Sequence, residues 1–336
     1  MHGRWKALAL CAFLCAGGCG SDPAPSDAGE VTEDAGGVDA GASWPTCAVM
    51  SALTRESLMA PAGGSGAYRG PGAGQVEALR AAAAAALAGD VGRASEAARR
   101  AEYRICRGEG AEADLLLFEP TSQAAGHARA IVRAGGVALV LEAPHPFYDT
   151  DTLAQSISLF EQLGARALIV SGTHRCAGNM PSGCDGTTSA CGSSSPYPES
   201  DPAHAVAGTF HALHVALAES LDDAVMVSVH GFGATGASVS DGTTGLIDPG
   251  APAARLARAL SAQVSGVTSC NEGSGAAFEV RLCGTTNVQG RQLNGAADAC
   301  SESRPAGLGR FIHLEQSRAV RADVSAVTSA FREAFP

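Results

Sequence analysis

The sequence predicts an α/β fold: a three-layer sandwich whose central sheet is mixed, largely parallel and flanked by helices. Three observations carry that expectation. Short apolar runs recur along the chain, stretches with helical spacing separate them, and polar residues accumulate where the runs end. Alternation of this kind builds a sheet covered on both faces by helices, and in such sheets ligands sit at the carboxyl ends of the strands.

In chain order, the Ala-rich stretch 75–102 is helical, as Ala propensity dictates. A short apolar run follows at 115–118, and Thr121 or Ser122 offers a cap for a helix reaching about 133. Val137 to Glu142 reads as a strand. "DTLAQSISLFEQLGA" then places Leu153, Ile157, Phe160 and Leu163 on one helical face, with Gly164 as the stop. "RALIVSG" is the next strand. "SDPAHAVAGTFHALHVALAESL" opens a helix with Asp201 as cap and Pro202 in the first turn. "DAVMVSVHGFG" is a strand and 253–264 a helix; "AAFEVRLCG" and "GRFIHLEQS" are strands, and 322–334 closes the chain as a helix. Between 172 and 200 runs a Gly/Ser/Cys-rich loop long enough to suggest a role in shaping a site.

At 336 residues the chain can bury a sizeable core. A formal charge of −11, with Lys6 the only lysine, excludes nucleic acid as a partner, which requires clustered basic residues. The start, "MHGRWKALALCAFLCAGGC", has basic residues, a short apolar stretch and small residues ending at Cys19. It resembles the signal of bacterial lipoproteins, which implies cleavage after residue 18 and lipidation of Cys19; an ordinary cleaved signal is the alternative. Residues 20–46 are then a disordered acidic tether, and 47–336 a single domain. The expected location is outside the cytoplasm, at the cell surface, outer membrane or periplasm, with the lipid anchor as the only membrane contact. Beyond Cys19 eight cysteines remain, an even number that suits disulfides in an oxidising compartment. No CxxC pair suggests a zinc ribbon.

Chemistry concentrates where strands end. "VLEAPHPFYDTDT" (140–152) carries Glu142, His145, Asp149 and Asp151, which could form a metal site, an acid/base pair or a solvated turn. "THRC" brings His174 and Arg175, "VHGFG" brings His230, and "IHLEQSRAVR" brings His313, Glu315 and Arg318. One strand-end histidine alone is more often structural. Four strands converging on His, carboxylate and Arg contain the parts of a hydrolytic zinc site: ligands, a base and an oxyanion donor.

These motifs, in this order, resemble the zinc carboxypeptidase-like superfamily, nearest to N-formylglutamate amidohydrolases and poly-γ-glutamate hydrolases. The resemblance covers about 135–334. It implies one Zn²⁺ per chain held by His145, Asp149 and His230, with Glu315 as general base and amide hydrolysis by activated water. Arg175, lying between the two histidine motifs, takes the oxyanion role. Carboxypeptidases space the first pair as His-x-x-Glu, whereas Tyr148 stands there in this chain, so Asp151 competes with Asp149 as ligand.

"TTNVQGRQLNG" (285–295) is either a plain loop or a substrate grip, with Asn287 and Arg291 binding the substrate and Arg291 clamping a carboxylate. Arg318 is a second candidate for selecting an acidic group on a small-molecule or peptide-like substrate. His204, His211 and His214 share a helix side with Phe210 and Leu217, which favours interfacial or capping roles. Glu142 is placed to bond the far nitrogen of a ligand histidine. "HGFG" also invites a serine-hydrolase reading, but "GASVSDG" lacks the G-x-S-x-G elbow. The remaining alternative is a surface-anchored binding protein that keeps the fold without catalysis.

Overall fold

The structure is a computed structural model that describes residues 43–54, 58, 60–122, 125–270 and 282–336. The signal, Cys19, nearly all of the tether and most of the expected strand 276–284 lie outside the described residues. Trp44 is buried and Thr46–Cys47 pairs in the sheet, so the core takes in residues just before Cys47.

Ten strands form the main sheet among the described residues. They are β1 (Thr46–Cys47), β2 (Tyr103–Gly108), β3 (Leu115–Pro120), β4 (Arg129–Arg133), β5 (Val137–Ala143) and β6 (Ala165–Val170). After the two-residue strands β7 (Thr187–Thr188) and β8 (Ser195–Pro196), which pair separately, come β9 (Val225–Gly231), β10 (Ala237–Ser240), β11 (Val267–Ser269) and β12 (Phe311–Gln316). The spatial order is β1-β2-β3-β4-β6-β5-β9-β12-β10-β11. The centre, β6-β5-β9-β12, is parallel. The β2–β3, β3–β4, β4–β6 and β10–β12 pairings are antiparallel, so the sheet is mixed.

Period-two alternation places the core on both faces. Leu139, Leu141, Val227, Val229, Ile312 and Leu314 point to one face, where helices Thr152–Leu163, Pro252–Ser261 and Val324–Ala334 pack Phe160, Leu256 and Phe331 on them. Val140, Ile169, Met226 and Phe311 point to the other, under helices Ala73–Leu87, Val91–Arg100 and Thr209–Ser220. The three-layer α/β sandwich is therefore the observed fold.

Several elements differ from the sequence reading in local detail. The expected helix 75–102 is broken at Gly89, after which Asp90 caps a second helix through the Arg93 amide (2.9 Å). The expected helix up to 133 is instead strand β4, since Arg129–Val132 finds hydrogen-bonding partners on both sides, in β3 and β6. The closing helix is found at Val324–Ala334, capped by Asp323, and a separate short helix, Arg318–Ala322, precedes it. Asp201 stands at the N-cap of a single 3-10 turn, Pro202–His204, with Pro202 at its start, but its side chain makes no cap hydrogen bond and the α-helix begins only at Thr209.

All eight cysteines pair, as Cys47–Cys106, Cys176–Cys191, Cys184–Cys300 and Cys270–Cys283. Two of these bridges staple the long 172–200 loop. No described helix is long and apolar enough to cross a membrane.

Candidate metal centre

From β5 the chain goes to β6 on one side, then crosses back to β9 on the other. That reversal opens a crevice at the carboxyl ends of β5 and β9, the usual ligand position in such sheets. On the face carrying Val140, Met226 and Phe311, the apolar positions turn polar at the same level. Val140 is followed by Glu142, Met226 by Ser228 and His230, and Phe311 by His313 and Glu315. Parallel register sets Ser228 beside His313 and His230 beside Glu315.

The segment after β5 bends into a helical turn, with the Asp149 amide donating to the His145 carbonyl at 2.8 Å. Residues four apart in such a turn share one side, which brings His145 and Asp149 together. Asp149 Oδ2 lies 3.4 Å from His145 Nδ1 and 3.7 Å from His230 Nδ1, and it accepts the Gly231 amide at 3.0 Å. A Cβ at Gly231 would strike the Arg321 guanidinium, which would then have to shift. Arg321 in turn donates to the carbonyls of Thr150 (2.7 Å) and Gln316, tying the turn to the end of β12.

His145, Asp149 and His230 are all buried, and their ligand atoms lie within 4.8 Å of one another. Asp151 is half exposed, in a left-handed conformation, and pairs with Arg318 at 3.3 Å. The far nitrogen of His145 donates to Asp201 Oδ1 at 2.8 Å, and that of His230 meets Ser228 Oγ at 2.9 Å. Both rings thus turn Nδ1 towards Asp149, and His145 Nδ1 has no hydrogen-bond partner. Two imidazole nitrogens and a carboxylate oxygen, with a carboxylate orienting one ring from behind, form a donor set that fits zinc.

Asp201, read from the sequence as a helix cap, is the residue that reasoning missed. It is fully buried and also accepts Arg175 Nε (3.0 Å) and Nη2 (2.5 Å). The only local signal was an aspartate before Pro202 that turned out to cap no helix. His313, noted in the sequence but given no role, is the other. Its ring stands 4.6 Å from His230 and its Nε2 3.7 Å from Glu315 Oε1, and His230, His313 and Glu315 form a second potential ligand group. Glycine at 284, with φ +62°, lets the 282–287 segment press onto the His313 ring, where a Cβ would come within 2.6 Å.

Burial works against the Asp149 carboxylate, but the imidazoles of His145 and His230 outweigh it and hold the carboxyl well below its usual range. Burial likewise opposes charge on His145, as does Arg175, yet Asp201 and Asp149 raise its pKa overall. Burial lowers His230 to about 4. Glu315 is pushed up to about 8, first by burial and then by the Asp149 charge, and its Oε2 has no hydrogen-bond partner.

Beside these residues opens a cavity of about 500 Å³ whose walls include His145, Arg175, His230, His313 and Glu315. Tyr197 and His204, stacked at 3.6 Å, and Thr285 to Asn287 close another side. Arg291 is placed elsewhere. It is buried, and its guanidinium is filled by Asp185, Ser303 and the carbonyls of Thr285 and Cys300. Arg318 is exposed and lies outside this cavity. Glu142 bonds His214 Nδ1 (2.6 Å) and no ligand histidine. Ser238 lies in strand β10, with no strand-turn-helix elbow around it.

No family model and no curated protein matches the chain. Among solved structures it is similar to a gene product of Agrobacterium tumefaciens, at 13% identity over 59% of this chain and 85% of that one, with a TM-score of 0.33. A provisionally assigned metallopeptidase from Shewanella amazonensis SB2B is similar at 13% identity over 77% and 90%, TM-score 0.31. Another from Shewanella baltica OS155 stands at 10% over 77% and 88%, TM-score 0.28. Likenesses of this size carry no argument about this chain's activity.

Proposed function

We propose that this chain is an exported, lipid-anchored, zinc-dependent hydrolase of amide bonds. The observation that supports it most is the buried convergence of His145, Asp149 and His230 beside an unpartnered Glu315 carboxylate oxygen, at the open end of a crevice. A structural histidine cluster has no need of such a base. The eight paired cysteines support export.

His145, Asp149 and His230 would hold the ion, which when bound supplies Lewis acidity towards water and a carbonyl. Asp201 fixes the His145 tautomer by accepting from Nε2. Glu315, at the cavity wall beside the ligand group, would in its ionised form take the proton of the attacking water and return it to the leaving nitrogen. Arg175, held by Asp201 through Nε and Nη2, lines the cavity and would stabilise a developing oxyanion there.

The test is metal analysis of the purified protein beside His230→Ala and Glu315→Gln. The proposal expects about one zinc per chain, lost in His230→Ala, and a Glu315→Gln form that keeps zinc but loses amidase turnover. A chain that holds no zinc, or holds it equally without His230, would falsify the site. A Glu315→Gln form indistinguishable from the parent in every assay would favour the binding-protein reading.

A further inference from the structure

The residues around His230 form two ligand sets rather than one. The first is His145, Asp149 and His230; the second is His230, His313 and Glu315, whose ligand atoms also lie within 4.8 Å of one another. Each set is two imidazoles and one carboxylate, the same donor chemistry. Parallel register produces the second. It sets His230 of β9 directly beside Glu315 of β12, and His313 stands two residues earlier on the same face.

The second set suits an ion better than its members suit each other. His313 Nε2 stops 3.7 Å from Glu315 Oε1, beyond hydrogen-bond reach. Two ligands of one zinc, each bound at about 2.0–2.2 Å, stand about 3–4 Å apart. In the first set Asp149 Oδ2 keeps the same spacing, 3.4 and 3.7 Å, from its two imidazoles. His313 is 5% and Glu315 8% exposed, and Glu315 Oε2 has no hydrogen-bond partner. A buried polar atom that the chain leaves unmatched is suited to a ligand from outside it. Both residues line the cavity, which gives an ion its way in. Burial keeps the His313 ring neutral, with a lone pair to offer, and Glu315 would release its proton on binding.

The two sets cannot be filled together. A neutral imidazole has one lone pair, so His230 serves one ion at a time. They are also unequally supported. Asp201 orients His145 and the Gly231 amide holds Asp149, whereas Glu315 Oε2 has no such support. The better-oriented first set therefore binds more tightly.

We propose that His230, His313 and Glu315 form a second seat for a divalent ion, weaker than the first and exclusive of it. An ion there takes Glu315 as a ligand and so removes it as a base, which makes this seat idle in hydrolysis. That idle character rests on the hydrolase reading; the seat itself does not.

The experiment is zinc binding to the purified full chain, read by chelator competition and metal analysis. His145→Ala removes a ligand from the first seat only. It should still bind about one zinc per chain, about 10–100-fold more weakly than the parent. Adding His313→Ala or Glu315→Gln to it should abolish that binding, while His313→Ala alone keeps the parental affinity. Should thermal melting show that His145→Ala does not fold, Asp149→Ala makes the same test. The parent should hold about one zinc, not two, at excess metal. A folded His145→Ala chain without zinc overturns the second seat, and so do double variants that bind as His145→Ala does. A parent holding two ions that both depend on His230 overturns its exclusivity. Failure of the hydrolase reading looks different: the zinc-loaded parent has no amidase turnover, or His313→Ala rather than His145→Ala releases its zinc. The latter keeps the second seat and overturns the first.

Discussion

Asp201→Asn is the sharpest perturbation the structure suggests. The substitution preserves volume and one acceptor but removes the charge from a fully buried side chain that holds two partners. It accepts from His145 at 2.8 Å and from Arg175 at 3.0 and 2.5 Å. Losing the charge leaves the Arg175 guanidinium, whose side chain is only 12% exposed, without its counter-ion. Breaking a buried pair from one side costs about 3–5 kcal/mol. It also frees the His145 ring to rotate or change tautomer, and loss of such an orienting carboxylate lowers metal affinity about 10–100-fold. Chelator competition reads the affinity and thermal melting reads the stability, both on the purified full chain. Asp201→Asn with parental zinc affinity and parental melting temperature would refute both the orienting role and the buried pair.

Other consequences can be checked in the same way. Burial, with His214 nearby, lowers the His211 pKa from 6.5 to about 3, so the unfolded chain binds the extra proton first. That contribution to stability is complete above pH 6.5 and is lost as pH falls towards 3, at about 1.4 kcal/mol per pH unit. Melting curves of His211→Gln should show an acid limb shallower by one proton, and an identical limb would refute the assignment. Gly231→Ala drives a methyl into the Arg321 guanidinium and should cost about 1–3 kcal/mol in denaturant unfolding; an unchanged midpoint would show that Arg321 moves freely. His214→Leu leaves Glu142 fully buried without its partner and should destabilise by about 3–5 kcal/mol in the same assay, with zinc stoichiometry unchanged. Loss of zinc in that variant would mean Glu142 acts on the site after all.

Strands β5, β6, β9 and β12 were legible because their alternation is local: each side chain's face follows from its position along the strand. The same alternation carried His230, His313 and Glu315 to one face, and a four-residue spacing carried Asp149 to His145. Strand β4 was misread as helix because "RAIVR" is too short to declare its period, and only its neighbours on both sides made it a strand.

The sequence by itself determined the layers, the parallel centre and the motifs that converge at its end. Tertiary structure alone decided which charges those motifs meet. Asp201 reaches His145 across 56 residues, Arg291 reaches Asp185 across 106, and Asp151 turns outward to Arg318 across 167. Apolar periodicity is written residue by residue, whereas a buried charge is satisfied by whatever partner the fold brings to it. No local pattern names that partner, and so the carboxylate behind His145 emerged only from the packed chain.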